Sequence, residues 1–520
     1  MKKNKILAYL LLCVATCLFT FCTDRFLEFN TDSNGATAEE LIRDGYITNS
    51  MLISMGNYVV ATDVNLNQFV ECLMGGSFGG YLADSNDGFN GRNYSTYGPE
   101  EHWIQVAFND IIPAIFVRNN ELRELLKDDP ILLSVASVLK VAALARVTDI
   151  YGPIPYSQVG VGGELEAPYD SQEQVYNQMF AELDEAIEVF TTNQSVVFNP
   201  SADNVYNGVV SNWLKFANSM KLRLAMRIVN ADPALAQQKA EEAVNHVVGP
   251  MSSNADNAMK QAAGKNPFRV VMYDYNDGDS RISADILSYM NGYGDPRREK
   301  YFTESTFSGG GYIGLRSGVN IPADDAIKTY SNMRVEDDTK LLWMNAAEVA
   351  FLKAEGVLRG WNMGGGAAED FYNEGITLSF EQWGANGASA YIDDAVSRPA
   401  GHIDPIIPAF NYSGALSMVT PKWDTAGAFE ANLEQIITQK WIAMFPLGVE
   451  AWSEYRRTGY PKLMEVQLNR SGGKVNSSRM ARRLPYPMEE YTENNDNLQH
   501  AITNYLNGAD DMGTDVWWAR

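Results

Sequence analysis

Apolar residues recur at three- and four-residue spacing through several long segments of this chain, so most of its core must be buried on helix faces. Residues 175–190 (VYNQMFAELDEAIEVF) follow Asp170, with Glu173 three residues on, a capping-box arrangement. Residues 209–229 end ahead of Ala231-Asp232-Pro233, where proline stops a helix. Residues 341–358 and 433–445 show the same period. Residues 131–147 are nearly apolar enough for a membrane span, but Ser134, Ser137, Lys140 and Arg146 interrupt them, and a buried helix is predicted. Clean two-residue alternation is scarce. Between the helical segments lie stretches rich in Gly, Asn, Asp, Ser and aromatics, over 75–103, 273–280, 303–317 and 403–413. The expected architecture is mainly α, with helix pairs carrying long irregular loops. Loops longer than about 15 residues in a compact protein are usually functional or disordered, and these hold too many rings to be plain linkers.

The N-terminus has its own logic. Lys2, Lys3 and Lys5 precede the apolar run ILAYLLLCVATCLFTF over 6–21. At about 1.5 Å per residue that run falls short of a ~30 Å hydrocarbon core, so it reads as the apolar region of an export signal. The chain turns polar directly after Cys22. A cysteine at such a switch resembles a bacterial lipobox, in which the thiol is acylated and becomes the mature N-terminus. Phe21 stands where that motif usually has a small residue. Cys17, after Val14-Ala15-Thr16, is the rival attachment site, and an ordinary secretory signal with incidental cysteines is the third reading. Cys22 is the expected lipid attachment site because the apolar run ends there. The chain is thus expected to divide into a lipoprotein signal peptide over 1–21 and one mature domain over 22–520.

Charge and cysteine usage exclude several function classes. With 41 Lys+Arg against 65 Asp+Glu the formal charge is −24, and removal of the three signal lysines deepens it to −27. Such a surface is a poor match for phosphate backbones or for an anionic membrane face, so no nucleic acid is expected and membrane contact should run through the lipid alone. Of four cysteines only Cys72 lies beyond residue 22, which leaves no disulfide framework and no zinc cluster. His102, His246, His402 and His500 are isolated, without HExxH. Residues 309–314 (GGGYIG) match GxGxxG formally, without a strand before or a helix after. Residues 274–279 (DYNDGD) resemble a calcium loop, but the glycine comes one place early and no Glu closes it, so structural calcium lacks support and no cofactor is expected. Acid pairs such as Glu100-Glu101 and Glu489-Glu490 are ordinary in an acidic chain, and spacing alone says nothing of glycosidase geometry. An enzyme is not expected.

The positive signal is a loop. Residues 75–103 carry Phe78, Tyr81, Phe89, Tyr94, Tyr97 and Trp103 among Gly and Asn. Rings on loops offer flat apolar faces, while Asn, Asp and backbone groups satisfy hydroxyls or amides, a chemistry suited to sugars or extended peptides. The competing reading has the rings pinning the loop to the core. Phe78, Tyr81, Phe89, Tyr94 and Tyr97 are the candidate ligand-binding residues. Trp103, at an apparent helix start, is expected in the core, as are Trp213, Trp343, Trp441 and Trp452 in helical apolar patterns.

Longer stretches carry a resemblance. FLEFNTDSN (26–34), ALARVTDIYGPIPYSQ (143–158), YDSQEQVYNQMFAELDEAI (169–187) and VYNGVVSNWLKFANSMKLRLAMRI (205–228) come first. Asp295-Pro296-Arg297 with Tyr301-Phe302, MNAAEVAFLKAEGVLRGW (344–361), QKWIAMFPLGVEAWSEYRRTGYPKL (439–463), RRLPYPMEEYTENN (482–495) and Trp517-Trp518 follow. In this order they resemble the SusD/RagB family over essentially the whole mature chain. The resemblance implies a surface-exposed, lipid-anchored outer-membrane protein of Bacteroidota-type bacteria, with a single domain of tetratricopeptide-like helix pairs and loop-rich additions. It implies a non-enzymatic protein that captures oligosaccharides and passes them to a SusC-like TonB-dependent transporter. Oligopeptide cargo for the same machinery is the nearest alternative, and a surface hydrolase or adhesin is the rival from another class. Glu348, Glu355, Arg456 and Arg457 are then expected to orient helices through buried pairs, and the loop over 75–97 falls about where the family places part of its ligand face.

Overall fold

The computed structural model describes residues 45–161, 166–414 and 416–519, and its long helices start where local chemistry permits. Between α1 (Glu101–Leu125) and α2 (Pro130–Tyr151), Asp129 accepts from the Leu132 amide at 3.0 Å and Pro130 opens the second helix. α3 (Gln172–Thr192) opens on a capping box one residue later than the sequence suggests. Asp170 is occupied by the Tyr156 and Ser157 amides at 3.2 and 2.7 Å, so Ser171 and Gln174 form the reciprocal pair. α4 (Val210–Arg227) stops short of Pro233, which in turn opens α5 (Pro233–Val244) under an Asp232 cap. The helix expected over 341–358 divides: Leu341–Met344 is a strand, and Asn345 caps α6 (Ala346–Leu358) by accepting from the Glu348 amide at 2.9 Å. α7 (Ala368–Gln382), α8 (Phe429–Ala443) and α9 (Gly448–Thr458) complete the frame.

Among the described residues, six short strands, β1 (Leu82–Asp84), β2 (Ile154–Pro155), β3 (Tyr169–Asp170), β4 (Ala258–Lys260), β5 (Ser280–Ile282) and β6 (Leu341–Met344), pair antiparallel as β1–β5, β2–β3 and β4–β6. Successive helices lie against one another: α1 on α2, α2 on α3, α3 on α4 and α4 on α5, then α6 on α7 with α8 against both, and α4 meeting α6. This is a mainly α, tetratricopeptide-like row of helix pairs. α2 is apolar all round, and 78% of its most apolar stretch is buried in the protein, which marks it as a core helix. The chain divides into two compact units, Met1–Asn49 and Ser50–Arg520. Of the first, only residues 45–49 are described; the export signal, Cys17 and Cys22 lie outside the described residues.

Charges buried between the helices form a paired set. Arg223 on α4 grips Glu348 on α6 through contacts of 2.8 and 2.6 Å. Arg227, one turn on, pairs with Glu450 and, at 2.7 Å, with Glu454 on α9, and lies 3.2 Å from Asp149 on α2. Arg457 holds Glu355 on α6 at 2.6 and 2.7 Å and Glu454 at 2.6 Å, while Lys440 on α8 reaches Glu454 at 3.2 Å. Arg456 lies over the Trp452 ring at 3.6 Å and donates to the Arg482 carbonyl at 2.9 Å. Glu348, Glu355 and Arg457 are buried in such pairs, as the resemblance implies, whereas Arg456 is buried but gives its guanidinium to main-chain carbonyls and the Ser453 hydroxyl instead of a carboxylate. Burial pushes the Glu454 carboxyl up, but Arg457, Lys440 and Arg227 outweigh it and hold the group well below the usual carboxylate range. Glu355 is lowered in the same way by Arg457 and Arg359, and Glu450 by Arg227, Arg223 and Lys440.

Candidate functional site

A π-helical segment, Asn67–Gly76, leads from the frame toward the loops and packs on α9. Its close approach demands glycine on both sides. A Cβ on Gly75 would sit 2.8 Å from the Val449 amide nitrogen, and one on Gly448 would sit 2.3 Å from the Gly75 carbonyl carbon. The residues that follow are seated deep. Tyr81 stacks on Trp441 with centroids 5.4 Å apart and donates its hydroxyl proton to the Trp441 carbonyl at 2.5 Å. Phe78 packs on Trp452 at 4.9 Å, on Tyr94 at 5.8 Å and on Tyr97 at 6.3 Å, and Tyr94 donates to the Trp103 carbonyl at 2.7 Å.

None of Phe78, Tyr81, Tyr94 and Tyr97 is more than 3% exposed. The expectation that these four rings offer faces to a ligand is therefore corrected. Their flat surfaces are occupied by other rings, because the Gly75–Gly448 contact draws the chain inward. Phe89 is different: it is half-buried, edge-on to Trp103 at 5.1 Å, with part of its ring at the surface. Trp103, Trp213, Trp343, Trp441 and Trp452 are buried as expected.

A second, smaller core lies beside the β1–β5 ribbon, built from Ala83, Leu315, Val319, Ile321, Ile327, Tyr330 and Phe410. Phe89, Phe307, Ile313 and Ile407 pack on it and stay partly exposed. Four loops, over 85–92, 274–279, 303–331 and 402–412, are fastened together around this core. Asn90 and Ile321 exchange bonds of 2.7 and 2.9 Å. Ser85 Oγ donates to the Gly278 carbonyl at 2.7 Å, and Lys328 Nζ donates to the Ser85 and Gly278 carbonyls at 3.0 and 2.6 Å. Tyr330 donates to Asp404 at 2.7 Å and ties in the last loop.

The tip of the second loop is strained, with Asn276, Asp277 and Gly278 at φ 50°, 56° and 96°. It is held by buried Asp279, which accepts from Asn276 at 2.8 Å, Asn86 at 2.9 Å and Gln68 at 2.5 Å, and by Arg281, which donates to the Asp277 carbonyl at 2.8 Å. In the calcium-like stretch, Asp279 is thus engaged by amides and Asp274 by Lys265 at 3.3 Å. Among the described residues, no group of three or more His, Cys, Asp or Glu is placed to hold a metal ion.

This platform of loops carries half-buried Phe89 and Phe307 on the small core, half-buried Tyr275 and Tyr312 against the main core, the latter with Arg298 over its ring at 4.6 Å, and exposed Asn276 and Asp277. Sequence reasoning marks the loops over 273–280 and 303–317 but singles out none of Tyr275, Phe307 and Tyr312. Their signal, a ring in a Gly/Asn-rich loop, is the one that selects Phe89. At the foot of the platform, burial raises the Asp84 carboxyl to about 7, opposed by the Ser95 hydroxyl bond of 2.6 Å and assisted by Asp279. Burial and the neighbouring Arg281 lower Lys328 to about 8. Ring faces, amides and a strained, well-fastened tip suit stacking and hydrogen bonding to a neutral polar ligand.

A family model described as Susd and RagB outer membrane lipoprotein matches residues 28–519. No curated protein matches the chain. Solved structures do. A SusD homologue from Bacteroides uniformis is 47% identical, with 91% of this chain and 99% of that chain covered at a TM-score of 0.87. One from Bacteroides ovatus is 42% identical, with 92% and 100% covered and a TM-score of 0.86. A chitin-binding SusD homologue from Flavobacterium johnsoniae is 36% identical, with 91% and 98% covered and a TM-score of 0.85.

Proposed function

Because the chain belongs to the SusD-like family of outer membrane lipoproteins, we propose that it captures oligosaccharides at the cell surface and delivers them to a SusC-like TonB-dependent transporter. It does so as a binding protein without catalysis, tethered through Cys22. The observation that carries this reading is the loop platform, where Phe89 and Phe307 lie half-buried on a small core of their own, with half-buried Tyr275 and exposed Asn276 on the loop fastened to it. Each ring contributes about 1 kcal/mol beyond its buried area when it stacks, so a glycan spanning several rings is held weakly and released readily. Linkage to the transporter would raise the effective affinity without new contacts. The chitin-binding relative supports a neutral glycan as cargo. Oligopeptide cargo is the second reading, and the deeply acidic chain favours it for cationic peptides.

Isothermal titration of the mature chain against panels of neutral oligosaccharides and of peptides tests the proposal. Saturable glycan binding is expected. Binding of peptides alone would transfer the role to the second reading, and binding of neither by folded protein would overturn capture altogether. Co-purification of a TonB-dependent transporter from detergent-solubilised outer membranes tests the partner.

A further inference from the structure

We propose that this protein holds a second sugar-contacting site, built from other residues than the loop platform: a solvent-open groove for a short glycan unit free of anionic groups. The groove measures about 470 Å³, within the roughly 300–1,000 Å³ of small-molecule sites. It is lined by residues of α3, by the end of α10 (Asn495–Asn504) with Tyr505, and by Trp517. Trp517 and Trp518 are adjacent, yet the fold uses them differently. Trp518 is wholly buried, donates its Nε1 proton to Asp149 at 2.9 Å and has Arg227 and Arg456 over its ring. Trp517 stays half-buried. Its main-chain amide donates to Gln172 Oε1 at 2.9 Å, Gln172 in turn donates to the Thr148 carbonyl at 2.7 Å, and its ring leans on Tyr176 with centroids 6.1 Å apart. The indole is thus held in place where it borders the groove. Unlike the buried N–H groups of Trp343 and Trp383, its Nε1–H is open to solvent, and it is unpaired among the described residues.

The polar lining is set out for hydroxyls. Gln174 accepts from the Ser171 amide at 2.8 Å through Oε1, which leaves its NH2 group free and fixed in direction. Asn504 donates to the His500 carbonyl at 2.8 Å, which leaves its own side-chain oxygen free. Glu173 and Asn177 are exposed, and neither side chain has a partner among the described residues. Donors and acceptors therefore lie beside a ring, and two of the amides are oriented before any ligand arrives. A sugar unit has the matching surface: a face of C–H groups for the indole and an edge of hydroxyls that both donate and accept. A peptide is a poorer fit. Extended peptides pair with a strand edge and amphipathic helices need an apolar groove, whereas here helices and turns supply the lining and six of the eight lining residues are polar. No Lys or Arg lines the groove and the Glu173 carboxylate does, so an anionic sugar finds no compensation there.

Maltose, cellobiose and N,N′-diacetylchitobiose are the neutral probes, with digalacturonate and trialanine as the anionic and peptide comparators. In the mature chain with isotope-labelled indole nitrogens, the Trp517 resonance is identified by its loss in Trp517→Phe. At least one neutral disaccharide at millimolar concentration should shift it saturably, and neither comparator should. The shift should persist in the platform variant Phe89→Ala. It should need several-fold more sugar in Asn177→Ala, whose side chain bonds to nothing in the fold and whose loss leaves folding intact. No saturable shift with any neutral disaccharide, an equal response to a comparator, loss of the shift in Phe89→Ala, or an unchanged midpoint in Asn177→Ala would each overturn the proposal. A silent Trp517 with glycan binding retained in titration would strike this site and leave platform capture standing. Platform binding lost with the Trp517 shift intact would do the reverse.

Discussion

Phe89 and Tyr81 belong to one aromatic stretch, yet packing gives them opposite roles. Tyr81 has its ring on Trp441 and its hydroxyl bonded to a main-chain carbonyl, so Tyr81→Ala should cost about 3–5 kcal/mol of stability, measured by chemical denaturation. Phe89 covers only part of the small core, and Phe89→Ala should cost about 1 kcal/mol while weakening glycan binding several-fold in titration. Equal stability losses in the two variants, or unchanged glycan affinity in Phe89→Ala, would return Phe89 to a packing role. Asp84 gives a pH test. Its folded-state value of about 7 exceeds the ordinary 3.8, so the folded protein holds the proton more tightly than the unfolded chain. The associated stability is full below about 3.8 and is lost as pH rises through about 7. Asp84→Asn should therefore raise Tm at pH 8 and leave it nearly unchanged at pH 4, a contrast that thermal scans at the two pH values would measure.

At the scale of elements, the buried charges fasten α2, α4, α6, α8 and α9 to one another. Arg457→Met would leave Glu355 and Glu454 buried without their nearest guanidinium, and a loss of about 3–5 kcal/mol is expected in urea denaturation. Both carboxyls lie below their ordinary value of 4.5 in the folded protein, so the stability they give is present above that pH and is lost as pH falls through their lowered values. In Arg457→Met the acid side of the stability profile should flatten. Helices were the legible part of this fold because period and caps are local: the proline after α4 and the apolar faces of α3 and α8 lie in contiguous sequence. Two features were not legible, and both depend on distant partners. Leu341–Met344 continues the apolar run of α6, and only pairing with β4 makes it a strand. The four buried rings sit in a Gly/Asn-rich stretch that reads as a surface loop until Gly448 meets Gly75, a contact from far along the chain.

At the scale of the whole molecule, charge and anchorage constrain each other. A chain of formal charge −24 is repelled by an anionic lipid surface, so attraction between surface charges cannot keep it on the membrane. The lone helix long and apolar enough to span a bilayer among the described residues is α2, and its apolar surface is buried in the protein. Retention in the outer membrane is expected to come from the acyl chains of the lipoprotein N-terminus, where stable anchoring takes more than one chain. Two outcomes separate this from adsorption. Washing membranes in high salt should release none of the protein, because no charge attraction is there to be screened. Cys22→Ala should move it from the membrane fraction to the soluble fraction and abolish incorporation of labelled fatty acid. Lipid labelling that survives Cys22→Ala but disappears in Cys17→Ala would place the anchor at the earlier cysteine and shift the start of the mature chain with it.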